Sequence, residues 1–132
     1  MNFELFNQCV IGVGSNIEPV KNVKRAKEEL EKISAIIKQS DFIYTKPLLY
    51  IEQSDFLNGV FLIETKLDIA ELRRNLRLIE KNLGRIRIKN KNAPRTIDLD
   101  IIVFNRKVIS KDFYERDFLQ KAVKEVLPDL NF

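Results

Sequence analysis

The chain contains no histidine, and that single absence removes several chemistries at once. Ser-His-Asp and Cys-His nucleophile activation cannot be assembled, and neither can a zinc site with histidine ligands. Any metal would have to sit among hard oxygen donors, which points to Mg²⁺ or a close relative. With one cysteine, Cys9, an internal disulfide is excluded. No charged-then-apolar leader opens the sequence, so the expected setting is a reducing cytoplasm. No apolar run approaches bilayer-spanning length, and no membrane association is expected. Glycine-rich phosphate loops, repeats and low-complexity stretches are missing as well, so Gly14 reads as turn chemistry rather than phosphate binding.

What the sequence does have is charge. Its 132 residues carry 23 Lys and Arg against 19 Asp and Glu, a net +4 that favours an anionic partner: nucleotide, nucleic acid or acidic lipid. That length suits a single domain spanning residues 1–132, with a core that needs no staple.

The charge concentrates between Gly84 and Phe104, GRIRIKNKNAPRTIDLDIIVF. Arg85, Arg87, Lys89, Lys91 and Arg95 fill a loop that runs into a strand bearing Asp98 and Asp100. Side chains two apart on a strand share a face, so the two carboxylates point one way while Ile97, Leu99, Ile101 and Val103 fill the other. Phosphoryl transfer needs cations to clamp phosphate oxygens and acids to hold Mg²⁺ between them, and both sets lie here within a few residues. Three plainer accounts stand beside that one: a solvated acidic face, a basic loop that only keeps the surface soluble, and ion pairs between Arg95 and Asp98.

The remaining elements follow from periodicity. Cys9–Val13 reads as a buried strand, and Glu18-Pro19 opens a helix with Val20, Val23, Ala26, Leu30 and Ile33 on its apolar stripe. A second strand is expected from Ala35 to Tyr44, ending at Lys46-Pro47, and a third from Phe56 to Glu64. Asn58, an amide in that apolar third strand, either satisfies neighbouring backbone or reads the edge of a heterocycle. Asp68 and Glu71 form a capping box for a helix whose stripe is Ile69, Leu72, Leu76, Ile79 and Leu83, with Gly84 placed to end it. Glu80 lies off that stripe. A turn at Asn105-Arg106-Lys107 and a final helix within Phe113–Val126 complete the chain. The order β-α-β-β-α-β is the ferredoxin-like α+β arrangement: an antiparallel sheet with helices on one face, plus a C-terminal helix. The other face would carry Asn58, Asp98 and Asp100.

The strings VIGVGSN, TKPLLYIEQSDFLNGV, LRLIEKNLGRIR and APRTIDLDIIVF resemble, in order and spacing, the 6-hydroxymethyl-7,8-dihydropterin pyrophosphokinases of folate biosynthesis, and ERDFLQKAVKEVLPDL resembles their closing segment. The resemblance implies a ferredoxin-like enzyme that moves the β,γ-pyrophosphoryl group of ATP to the pterin hydroxymethyl oxygen and releases AMP. It also implies that Asp98 and Asp100 hold two Mg²⁺ ions, and that Arg85, Arg95 and Arg116 contact the triphosphate, with Glu80 on the nucleotide side. Asn58 would bond the pterin, Phe56 and Phe118 would stack on it, and Lys46, Pro47 and Leu49 would finish the pocket. The implied partners are these small molecules, with no nucleic acid and no membrane. The expected state is a monomer, with other folate-pathway enzymes as conceivable partners. The sequence departs from the family pattern in three places: Asn92-Ala93 replaces a tryptophan-glycine pair, Lys46 replaces a threonine, and roughly eight residues of a proline-histidine segment are missing between Ile109 and Arg116. Two other functions compete: a pseudoenzyme that binds pterin without turnover, and an RNA-binding module of the same fold.

Overall fold

The run NQCVIGVGS pairs on both sides and becomes the central strand, β1 (Asn7–Ser15), longer at each end than its CVIGV core predicts. The computed structural model describes residues 5–47, 53–85 and 94–132. After β1 come α1 (Pro19–Glu31), β2 (Ala35–Gln39), β3 (Ile43–Thr45), β4 (Phe56–Thr65), α2 (Ile69–Asn82), β5 (Asp98–Phe104), β6 (Lys107–Val108), α3 (Asp112–Glu115) and α4 (Asp117–Val126). The sheet runs β2-β4-β1-β5-β6, antiparallel throughout, with β3 also on β4. This is the expected ferredoxin-like order, extended by the β6 hairpin and two C-terminal helices.

The capping box predicted for α2 is present, with the Asp68 carboxylate accepting from the Glu71 N–H and the Glu71 side chain accepting from the Asp68 N–H. Gly84 ends the helix at φ 87°, a left-handed conformation that favours glycine. The α1 stripe differs from expectation: Val20 is 69% exposed and Asn22 is buried in its stead. The Asn22 amide donates to Ile17 O at 2.6 Å, so a polar side chain is satisfied inside the first helical turn and draws that face inward.

The single strand expected over Ala35–Tyr44 is two, β2 and β3, divided at Ser40. There the Ser40 N–H donates to Val60 O at 3.0 Å, and the Ser40 hydroxyl accepts from Val60 N–H at 2.9 Å in place of a ladder carbonyl. The turn toward Lys107 is likewise tighter than expected, because Asn105 and Arg106 both take positive φ and Lys107 already belongs to β6.

Two cores flank the sheet. On one face α1 and α2 cover Ile11, Val13, Phe61, Ile63, Leu99 and Ile101. On the other, α4 covers Val10, Val60, Leu62, Ile102 and Val103. Val103 was expected beside Leu99 and Ile101, but the β1–β5 register shifts between Val10 and Ile11, where Ile102 is the extra residue. A bulge of one residue reverses the alternation, so Ile102 and Val103 both face α4. The C-terminal helix therefore packs opposite α1 and α2, on the face where an RNA-recognition module would display bare aromatics, and among the described residues a cavity remains where β1 ends and β4 and β5 begin.

Candidate active site

That open part of the sheet has a floor of small residues and walls of charge. Gly12 and Gly14 of β1 pair with Asp100 and Asp98 on one side, and Gly14 pairs with Asn58 on the other. A Cβ on Gly14 would lie 2.8 Å from Asn58 Oδ1, so Gly14 has a packing role inside the site as a strand residue, and the reading of it as turn chemistry is corrected. Above this floor is a cavity of about 310 Å³ bounded by Lys46, Phe56, Asn58, Arg95, Asp98 and Arg116. A smaller recess of about 60 Å³ adjoins it, shares Asn58, Asp98 and Arg116, and adds Asp100 and Phe118.

Most of the residues singled out from sequence thus meet in one place. Phe56 enters from the first residue of β4, whereas Phe118 comes from α4, with the Arg116 guanidinium 6.0 Å from its ring centre. The Asn58 amide donates to the Thr45 hydroxyl, which orients its carboxamide across β3 and β4. Pro47 is half-buried and follows Lys46 at the edge of the cavity. Leu49 lies outside the described residues, as do Arg87, Lys89 and Lys91 of the basic loop.

Behind the carboxylates is a network centred on Glu80. Glu80 lies off the apolar stripe of α2 and is nevertheless only 1% exposed. The Glu80 carboxylate accepts from Arg85 at 2.6 Å, from Leu99 N–H at 2.8 Å and from Arg77 at 3.2 Å. Arg85, whose side chain is 10% exposed, also donates to Asp98 Oδ1 at 2.8 Å. Arg95 donates to the other oxygen, Asp98 Oδ2, at 3.0 Å, so the ion pair left open as a plain alternative is present. Asn16 positions Arg95 through its backbone: Asn16 N–H donates to Arg95 O at 3.1 Å, and Arg95 N–H donates to Asn16 Oδ1 at 2.7 Å. The Asn16 amide continues to Gln53 at 2.6 Å.

The two acidic positions therefore differ. Asp98 is engaged by two guanidinium groups. Asp100 accepts from the Ser110 hydroxyl at 3.2 Å, and its carboxyl is held above its usual range first by burial and then by the like charge of Asp98, with Asp112 adding to the effect. Ser110 and Asp112 fall in the shortened stretch after Ile109, where no motif or periodicity drew attention to them. Two hard carboxylates on one face, one of them desolvated and repelled, form a donor set suited to a divalent cation that would relieve both penalties. Among the described residues no group of three or more acidic or cysteine side chains is gathered tightly enough to hold a metal by itself, and no helix is long and apolar enough to cross a membrane.

Residues 10–128 match the family described as 7,8-dihydro-6-hydroxymethylpterin-pyrophosphokinase. The chain is 31% identical over 131 residues to a 2-amino-4-hydroxy-6-hydroxymethyldihydropteridine pyrophosphokinase of Haemophilus influenzae, covering 91% of this chain and 81% of that protein. To the protein so named in Bacillus subtilis it is 34% identical over 131 residues, covering 91% and 78%. It is also 34% identical over 137 residues to the folic acid synthesis protein fol1 of Pneumocystis carinii, covering 94% of this chain but only 18% of that much longer protein.

Proposed function

The chain belongs to the 7,8-dihydro-6-hydroxymethylpterin-pyrophosphokinase family and is a pyrophosphokinase of folate biosynthesis acting on small molecules, and from that premise we propose how its own residues divide the work. The pterin lies against Asn58, whose carboxamide donates and accepts along a heterocycle edge, with Phe56 and Phe118 offering aromatic faces and the chain around Lys46, Pro47 and Leu49 closing the pocket. ATP is the co-substrate, with its triphosphate directed to Arg95 and Arg116. Glu80 and Arg85 lie on the nucleotide side, where their burial supports a role in holding Asp98 in place.

Asp98 and Asp100 are the proposed ligands of two Mg²⁺ ions, which when bound would neutralise the phosphate oxygens and align the reacting groups. The hydroxymethyl oxygen attacks the β-phosphorus, its O–H proton passes to solvent water as the new O–P bond forms, and the bond from that phosphorus to the α-phosphate bridging oxygen breaks to release AMP. Arg95 exchanges the Asp98 carboxylate for phosphate oxygens when the triphosphate enters. Such transfer depends mainly on positioning and charge stabilisation, so the absence of histidine removes nothing essential. We further propose a monomer of one domain in a reducing cytoplasmic setting, where the lone buried thiol of Cys9 would stay reduced.

The observation that carries the residue assignments is the convergence of Asn58, Asp98, Arg95 and Arg116 on one cavity floored by glycine. The test is AMP release from ATP and 6-hydroxymethyl-7,8-dihydropterin with Mg²⁺, in the intact chain and in Asp98→Asn and Asp100→Asn. Turnover that survives both substitutions overturns the two-carboxylate assignment.

A further inference from the structure

β6 pairs with β5 at Val103 and Phe104, and among the described residues no strand lies beyond the start of β5 on its outer edge. Leu99 lies in that stretch, between the two acidic positions. Both of its main-chain polar groups are nonetheless satisfied, and by two side chains of one helix. Its N–H donates to Glu80 Oε2 at 2.8 Å, and its C=O accepts from Arg77 Nη1 at 3.0 Å. The same Arg77 nitrogen reaches Glu80 Oε1 at 3.2 Å, which locks donor and acceptor together. The i,i+3 pair thus supplies to one residue the two bonds that an adjacent antiparallel strand would have made.

We infer that Arg77 and Glu80 are positioning residues that close the bare edge of β5 at Leu99 and thereby fix the common aim of Asp98 and Asp100. The inference rests on reading those carboxylates as the metal-holding pair. Side chains alternate along a strand, so the orientation of the Leu99 peptide units sets the Cα–Cβ directions of both flanking residues. An uncapped edge would leave a buried N–H without an acceptor and let those units rotate toward water. Arg77 lines neither cavity, and its side chain is 41% exposed on the helix surface, so its hydrogen bonds reach the site through the backbone of β5, beside a direct attraction of its charge for Asp100. Glu80 carries a second link, since Arg85 joins it to Asp98 Oδ1. Arginine suits this position because one guanidinium nitrogen carries two hydrogens and can serve the carbonyl and the carboxylate together.

The experiment uses the full chain with Arg77→Met, which keeps the apolar stem and deletes the donors, and Arg77→Lys, which restores a donor. Mn²⁺ affinity is read by electron paramagnetic resonance in the complex with a nonhydrolysable ATP analogue and pterin, alongside kcat, the KM for ATP and pterin affinity. Arg77→Met should lower Mn²⁺ affinity and kcat by about tenfold each, the usual scale for loss of a group behind a metal ligand, while pterin affinity holds and Arg77→Lys recovers most of the loss. Unchanged Mn²⁺ affinity and kcat in Arg77→Met overturn the inference. So does a raised KM for ATP alone, which would make Arg77 a nucleotide contact. Asp100→Asn measured alongside keeps the two readings apart, because full Mn²⁺ affinity in that variant sinks the assignment of the carboxylates whatever the Arg77 variants do.

Discussion

Gly14 faces Asn58 across the β1–β4 pair, and a Cβ added to Gly14 would stand 2.8 Å from the Asn58 side-chain oxygen. That oxygen ends a side chain that can swing, so the clash is relieved by moving the Asn58 carboxamide and breaking its bond to Thr45, with the strand left in place. Gly14→Ala should therefore melt within a few degrees of the unsubstituted chain yet bind pterin about tenfold more weakly, the scale of one lost hydrogen bond. Calorimetric titration with hydroxymethyldihydropterin checks this; unaltered affinity would mean that Asn58 does not read the pterin.

Asp98→Asn and Asp100→Asn should both stop turnover but move stability in opposite directions. Asp98 answers two guanidinium groups, so its neutral amide should cost about 1 kcal/mol, a modest figure because the carboxylate is partly solvated. Asp100 is raised, meaning that the folded protein holds its proton more tightly than the unfolded chain does. Its ionised form then costs stability once pH rises above the ordinary value of 3.8, and the full cost is present above the folded pKa. Asp100→Asn should melt at or above the parent temperature at pH 7, with the gap closing as pH falls toward 3.8. A lower melting temperature for Asp100→Asn at pH 7 would contradict the sign.

Arg85→Ala removes one partner from a buried cluster and strands the Glu80 carboxylate against Leu99 N–H and Arg77. Breaking such a pair costs about 3 kcal/mol, at the low end of the range because Arg77 stays. That corresponds to a fall in melting temperature of roughly 10 °C for a domain of this size. Thermal denaturation of Arg85→Ala beside Arg95→Ala tests the difference in burial, since the more exposed Arg95 should cost far less stability while still lowering kcat.

The short passage from Ile109 to Arg116 holds one helical turn, and if the missing family segment supplied nucleotide contacts, their loss should show in ATP affinity. Each lost charge-assisted bond is worth about 1.5 to 3 kcal/mol, which weakens ATP binding roughly ten- to a thousandfold unless Lys107 or Lys111 compensates. Steady-state kinetics should give a raised KM for ATP, a substantial kcat at saturation and ordinary pterin binding. Tight pterin binding with no AMP formed would restore the pseudoenzyme alternative.

The pattern-bearing parts of the chain were readable in advance. Asp98 and Asp100 share a face because strand alternation is strict over a few residues, and the Asp68–Glu71 box and Gly84 carry local signals that tertiary contacts did not override. What could not be read depended on partners distant in sequence. Glu80 is buried because Arg85 and Leu99 N–H come to it, and a carboxylate satisfied in this way has no hydrophobic signature. Asn22 displaced Val20 from the α1 face through a bond to Ile17. Val103 changed sides because of one extra residue in β5, which alternation read from the chain alone does not reveal. Ser110 and Asp112 came to Asp100 only through the β6 hairpin.

Arg85 and Arg95 lie at the two ends of the basic loop, and both are held by the same carboxylate, one on each oxygen of Asp98. A single side chain thus closes a ring of polypeptide, a non-covalent counterpart of a cross-link whose loop-closure entropy has already been spent before any substrate arrives. The ring is also breakable by charge. A ligand that competes for Asp98 breaks both of these bonds in one event, while Glu80 keeps hold of Arg85 and Asn16 of the Arg95 backbone, so occupancy of the acidic strand and the pairing of the two guanidinium groups are thermodynamically linked, each altering the other by the same free energy.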